Sequence, residues 1–258
     1  MRNRFVNALF CSMFLLGAAC FSASASGTQE SGVRSVHNFS GVSLETSGNL
    51  FLVQGDEESL TIDAPSNIIT RISTEVRGGT LYIKYRGWMG SFNASPTYYL
   101  SMKTIEKLAA SNSGNIEAKD IIADDIDLTA SSSGHIRIGS LTARQLKTGA
   151  SSSGGISIAN GLITSLEAVV SSSGNIDIAG MVKNLRVTSS SSGVFTGDSL
   201  KSSKAAVAIS SSGRATIWVI DELEAAASSS GRLSYYGDPE VSSMTTSSSG
   251  EINPLGAK

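Results

Sequence analysis

The chain has 258 residues, 20 basic and 22 acidic side chains, 26 glycines and only 4 prolines. With 16% charged residues and a formal charge of −2, it lacks the basic excess that a nucleic acid or an anionic membrane face would attract. Only two cysteines are present, Cys11 and Cys20, so neither a disulfide framework nor a thiol site is expected in a mature chain.

Residues 1–25 have the layout of an export signal. Arg2 and Arg4 form the basic start, Phe5 to Leu16 the apolar core, and Ala23-Ser24-Ala25 the small-residue cleavage site. Cleavage there would remove both cysteines and leave Ser26 as the first residue. The alternative is a lipoprotein anchored through Cys20, since Leu16-Gly17-Ala18-Ala19-Cys20 resembles a lipobox, with Gly17 where a large aliphatic residue is usual. The apolar run is short and broken by Asn7 and Ser12, which disfavours a stable membrane span. The expected location is periplasmic, cell-surface or secreted.

Residues 26–32 read as a polar linker. From Val33 to about Leu108 alternating runs occur at Val42 to Thr46, Leu50 to Gln54, Leu60 to Asp63, Leu81 to Tyr85 and Thr97 to Met102, the pattern of half-buried strands. Ile68, Ile72 and Val76 have helical spacing and predict a short helix ended by Arg77-Gly78-Gly79. This first third, residues 33–108, is expected to form irregular coils and a cap. Trp88, Phe92, Tyr98 and Tyr99 concentrate aromatics there, either as core of the cap or as a sugar-stacking platform.

From residue 109 to 252 one unit recurs, anchored on Gly114, Gly134, Gly154, Gly174, Gly193, Gly213, Gly231 and Gly250. Seven of these glycines follow two or more serines, and the eighth follows Asn112-Ser113. Apolar side chains fall two and four residues after the glycine, as in Ile136 and Ile138 or Ile176 and Ile178. They also fall eight, six and four residues before it, as in Ile126, Leu128 and Ala130. Each unit is therefore strand, tight corner, strand. The corner glycine either has positive φ or lacks room for a Cβ, and the serine two residues earlier fits an inward-facing corner.

A coil of about 20 residues cannot bury its apolar row alone, so coils must stack in parallel. The fold class is all-β, a single-domain parallel β-helix or β-roll with Ser-Gly corners and two main sheets, spanning residues 33–252 with a tail at 253–258. The tail is too short to cover the last coil, which points to self-association of the chain through the ends of its β-helix.

No catalytic set emerges. His135 occupies an outward slot held elsewhere by Asn115, Asn175, Arg214 or Glu251. The repeated serines lack the base that a nucleophile needs. Asp120, Asp124, Asp125 and Asp127 form the one acidic cluster, but Asp125 and Asp127 flank inward Ile126 and point outward, so neither a metal nor a cofactor is expected. The candidate binding face consists of outward residues on the coils, Arg137, Arg214, Trp218, Arg232 and Tyr236.

Several segments together resemble the putative auto-transporter adhesin head GIN domain family. They are Phe39-Ser40-Gly41-Val42, Gly79-Thr80-Leu81-Tyr82-Ile83, Pro96 to Leu108 leading into Ser111-Asn112-Ser113-Gly114, the later Ser-Gly turns, and Tyr236-Gly237-Asp238-Pro239. The likeness covers roughly residues 36 to 250. It implies a β-helix similar in shape to pectin-lyase-like proteins, no recognised catalytic residues, and a role in adhesion. Triple serines stand where the family more often has Gly-Ser-Gly. The resulting expectation is a non-enzymatic exported protein binding a glycan or an envelope or host surface protein. The alternatives are a polysaccharide lyase or hydrolase at Asp120 to Asp127, or a self-assembling envelope component.

Overall fold

A computed structural model describes residues 29–87 and 95–258. The signal segment with its two cysteines, and Trp88 and Phe92, lie outside the described residues.

The N-terminal part holds β1 (Gln29–Arg34), β2 (Gly41–Glu45), β3 (Gly48–Gln54), β4 (Ser59–Pro65), α1 (Ser66–Ile69), β5 (Ile72–Arg77), β6 (Thr80–Tyr85), β7 (Thr97–Met102) and β8 (Lys107–Ala110). The array follows as β9 (Gly114–Ala130), β10 (His135–Ala150), β11 (Gly155–Val170), β12 (Asn175–Ser189), β13 (Val194–Ile209), β14 (Arg214–Ala227), β15 (Arg232–Tyr236), β16 (Glu240–Thr246) and β17 (Glu251–Gly256). The result is the expected all-β solenoid, of about 8 turns.

Each long strand is bent twice. In β10 the pairing with β11 skips Gly139 and Arg144, leaving paired runs at 135–138, 140–143 and 145–150. The coil therefore has three faces, here called 1, 2 and 3 in that order, rather than the two sheets expected. Burial explains the bends. Alternation keeps Ile136 and Ile138 inside, slips by one residue to Leu141 and Ala143, and slips again to Leu146, Thr148 and Ala150. Identical positions stack in register, so Ile136, Ile156 and Ile176 form one interior column and Ile138, Ile158 and Ile178 another.

At one coil a change of size in one column is matched by its neighbour. Phe195 continues the first column, fully buried, and Gly197 continues the second; a Cβ on Gly197 would meet the Phe195 ring at 2.7 Å. In that coil the phenylalanine ring fills the space that the glycine leaves, as close packing requires.

At the serine corners the glycine follows the second of the two expected alternatives, having no room for a Cβ, while the serine does not face inward as expected. The positive φ belongs to the two serines and not to the glycine, with Ser132 at 48° and Ser133 at 65°. The Gly134 N–H donates to the Ser131 carbonyl at 2.8 Å, closing a four-residue turn over those two left-handed residues. Both serines are exposed, so the residue two before the glycine faces water instead of filling the corner.

The first third supplies one more coil and a cap. β2 and β3 pair in parallel with β8 and the start of β9. Beyond them, antiparallel β5 runs beside β6, and β4 and β1 lie beyond β7. Gln29 to Gly32, expected as linker, pair with β4. The helix expected through Val76 stops at Ile69, because Ile72–Arg77 alternates its side chains and pairs with β6 around the Gly78-Gly79 turn. At the other end β17 continues the stack on β15 through the expected tail, and β16, which pairs with β14, is exposed along its whole length. Among the described residues no helix is long and apolar enough to cross a membrane.

Candidate functional site

Because every coil repeats the last, the outward side chains of each face also form straight columns about 4.8 Å apart. One column of face 1 runs through Tyr99, Phe51, Glu117, Arg137, Ser157 and Asp177. At its N-terminal end the Phe51 and Tyr99 rings stack with centroids 5.9 Å apart and planes 24° from parallel. Phe51 is 39% and Tyr99 48% exposed, a large cost in apolar surface for two neighbouring aromatics on a flat sheet.

The surroundings of this pair are polar and ordered. Arg137 pairs with Glu117 at 3.4 Å. In the adjacent column the Asn115 Nδ2 donates to the Asn49 Oδ1 at 2.9 Å, and His135 Nδ1 lies 3.0 Å from the Ser133 carbonyl. A planar apolar platform beside amide, carboxylate and guanidinium groups suits a ring that has one apolar face and a rim of hydroxyls.

Of the aromatics singled out in the sequence, Tyr98 is core. It is fully buried, it hydrogen-bonds Thr46 Oγ1 at 2.8 Å, and burial pushes its phenol well above the ordinary tyrosine range. Its neighbour Tyr99 faces out, as alternation demands. Phe51 carries the other half of the platform. Its outward slot between Leu50 and Leu52 was readable, but its partner is 48 residues away in sequence and only the register of β3 on β7 joins them.

Arg214 and Arg232 stand one above the other on face 1, with Trp218 and Tyr236 in register at the far end of the same strand segments. Arg137 is on this face too, but four coils away, about 19 Å along the axis. Arg232 is engaged by Glu251 at 2.7 Å. Trp218 and Tyr236 are half-buried under cations: Lys201 Nζ lies 5.5 Å from the Trp218 ring centre, and Lys258 Nζ lies 5.5 Å from that ring and 4.9 Å from Tyr236. Any ligand stacking there must first displace a lysine.

The acidic cluster is divided by the fold. Asp124 and Asp125 occupy the bend between faces 2 and 3, where Arg144 of the next coil bridges them at 2.8 and 2.5 Å. Asp127 belongs to face 3 and pairs in register with Lys147. Among the described residues no grouping of three or more His, Asp or Glu is placed to hold a metal ion. Shallow concavities of about 340 and 420 Å³ lie along the edge of face 3, the larger lined by Asp125, Asp127 and Lys147.

The model of a family described as putative auto-transporter adhesin, head GIN domain, matches residues 38–180 and 162–239. Among curated proteins none is similar to the chain. Crystal structures that share the fold include the following three. A putative lipid binding protein from Parabacteroides distasonis superposes with a TM-score of 0.81 at 24% identity, covering 89% of this chain and 98% of that one. A putative adhesin from Parabacteroides merdae gives 0.80 at 15% identity, covering 89% and 97%. A putative adhesin from Parabacteroides distasonis gives 0.78 at 18%, covering 89% and 98%.

Proposed function

The chain belongs to the putative auto-transporter adhesin head GIN domain family, and from that membership we propose that it is an exported, non-enzymatic adhesin of the cell envelope that binds a glycan on face 1. The observation that carries this reading is the Phe51 and Tyr99 platform, two stacked exposed rings on a rigid sheet with Asn49, Asn115, Glu117 and Arg137 beside them. A sheet buried on its inner side and hydrogen-bonded on both edges holds these groups without reorganisation, so the ordering cost of binding falls on the ligand. Equal spacing of about 4.8 Å between rows also lets successive units of an extended polymer meet successive coils. The export signal at residues 1–25, cleaved after Ala25 or replaced by a lipid on Cys20, supports delivery to the envelope. An enzymatic reading at Asp120 to Asp127 gains no support from the geometry, since Arg144 already engages two of those carboxylates.

The test is a screen of the purified protein against a glycan array and insoluble cell-wall polysaccharides, with supernatants assayed for released sugar. Binding without release is expected, lost in a Phe51→Ala, Tyr99→Ala double variant. Release of sugar would make the protein an enzyme. Full binding by the double variant would remove this platform, and loss on changing Arg214, Trp218, Arg232 and Tyr236 to alanine with Arg137 kept would move the site along face 1.

A further inference from the structure

Face 3 carries a different kind of order. Its outermost column reads Lys107, Asp127, Lys147, Glu167, Arg186, Ala206, Glu224, each in register with the next. Charge alternates along its first five members, coil by coil. All six charged members are exposed, and none of the ion pairs within 4 Å among the described residues joins two of them. The next outward column is flat and small: Ala109, Thr129, Gly149, Val169, Thr188, Ala208. Within it, a Cβ on Gly149 would meet only the Val169 carbonyl oxygen, at 3.9 Å, and Val169 stands 46% exposed.

We infer that face 3 is a self-complementary interface on which a second copy of this chain docks with its solenoid axis reversed. A flat face can meet its own copy about a two-fold axis lying in the interface, and two orientations are possible. If that axis runs along the solenoid, every residue of the column meets itself, and lysine opposes lysine. If it runs along the strands, the column meets its own reverse. With the axis between the coils of Lys147 and Glu167, Lys147 opposes Glu167 and Asp127 opposes Arg186, each twice by symmetry. Lys107 meets neutral Ala206, and no like charges are opposed.

The small column selects the same register independently. Gly149 then opposes Val169, so the column's exposed valine meets its one residue without a side chain. Thr129 faces Thr188 and Ala109 faces Ala208. A shift by one coil brings like charges together and also stacks Val169 on itself or Gly149 on itself. Alternation alone would follow from avoiding repulsion within a column. The match of Gly149 with Val169 in the register that opposes unlike charges does not follow from that.

Six coils at about 4.8 Å and a face of six residues give an interface of about 29 by 20 Å. It would bury about 1,200 Å² in total, the low end for a specific complex, so the dimer is reversible and weakened by salt. It uses a different face from the glycan platform, and dimerisation leaves face 1 free.

The test is sedimentation equilibrium of the purified protein and of Lys147→Glu and Glu167→Lys variants. Both substitutions lie on exposed positions, and thermal melts confirm that each variant is folded. The wild-type chain is expected to dimerise, and each variant to dimerise at least about ten-fold more weakly, because like charges then oppose across the axis. An equimolar mixture of the two variants restores a dimer, since a chain with carboxylates at both positions 147 and 167 then meets a chain with ammonium groups at both. Pairing within one chain gives no such rescue. A wild-type monomer at every accessible concentration would overturn the proposal, as would variants that dimerise unchanged or a mixture that stays monomeric.

Discussion

Gly174 packs its α-carbon against the backbone carbonyl of Ala150 in the preceding coil, so closely that a Cβ on Gly174 would stand 2.4 Å from that oxygen. The same contact recurs at Gly134 against Ala110 and at Gly154 against Ala130. These glycines are retained because coil-to-coil spacing leaves no volume there, and their φ is not left-handed.

A Gly174→Ala variant is therefore expected to lose about 3 kcal/mol, the upper part of the range for overpacking, although alanine adds a single methyl group. A glycine kept for its dihedral would behave differently, since alanine would cost about 1 kcal/mol there. Urea denaturation of the variant separates the two. A loss below about 1 kcal/mol would mean that the coils spread without penalty.

This corner shows how far the sequence alone could be read. The period, the stacking and the columns of Ile136 and Ile138 were legible because strong apolar residues recur at fixed distances from the glycine. The middle face was not, because its interior column runs Leu141, Gly161, Gly180, Leu200, and two glycines erase the apolar signal. The platform of face 1 and the alternating column of face 3 are long-range products of register. Phe51 meets Tyr99, and Lys147 meets Glu167, only once coils are aligned. Outward residues carry no periodic signature that says which neighbours they will have.

The serine pairs predict a gain in stability. Ser172 and Ser173 hold φ of 48° and 65°, a region that costs most L-residues about 1 to 2 kcal/mol and that asparagine enters more readily. Ser173 is exposed, so its replacement disturbs no packing. Ser173→Asn is expected to stabilise by about 0.5 kcal/mol, and the same change at Ser133, two coils or about 10 Å away, to add to it. A combined variant that melts no higher than wild type would show that the turn relaxes without a left-handed penalty.

Thr148 occupies an interior slot between Leu128 and Ala168, and its buried hydroxyl has no hydrogen-bond partner. Valine has nearly the same shape without the oxygen. Thr148→Val is expected to raise stability by about 1 to 2 kcal/mol, the cost of leaving a hydroxyl unsatisfied. Thr148→Ala would remove the oxygen and leave a gap, so it should gain less than valine. Chemical denaturation of the two variants orders them, and a destabilised Thr148→Val would mean that the hydroxyl is satisfied in solution.

Glu58 ties the start of the first coil to the cap. Its carboxylate accepts the Asn38 N–H at 2.8 Å and the Phe39 N–H at 3.2 Å, and the Asn38 bond above all holds its pKa below the ordinary glutamate value. A group lowered in the folded state stabilises fully above its unfolded value of about 4.3, and that contribution disappears as pH falls through the lower folded value. Glu58→Gln keeps an acceptor but loses the charge. It is expected to melt below wild type at pH 7, with the difference closing as the pH falls through the lowered folded value and the wild-type carboxyl is protonated. Melting temperatures of both proteins between about pH 7 and about pH 2.5 give the comparison. A difference that stays constant over that range would mean that the charge on Glu58 contributes nothing to the contact.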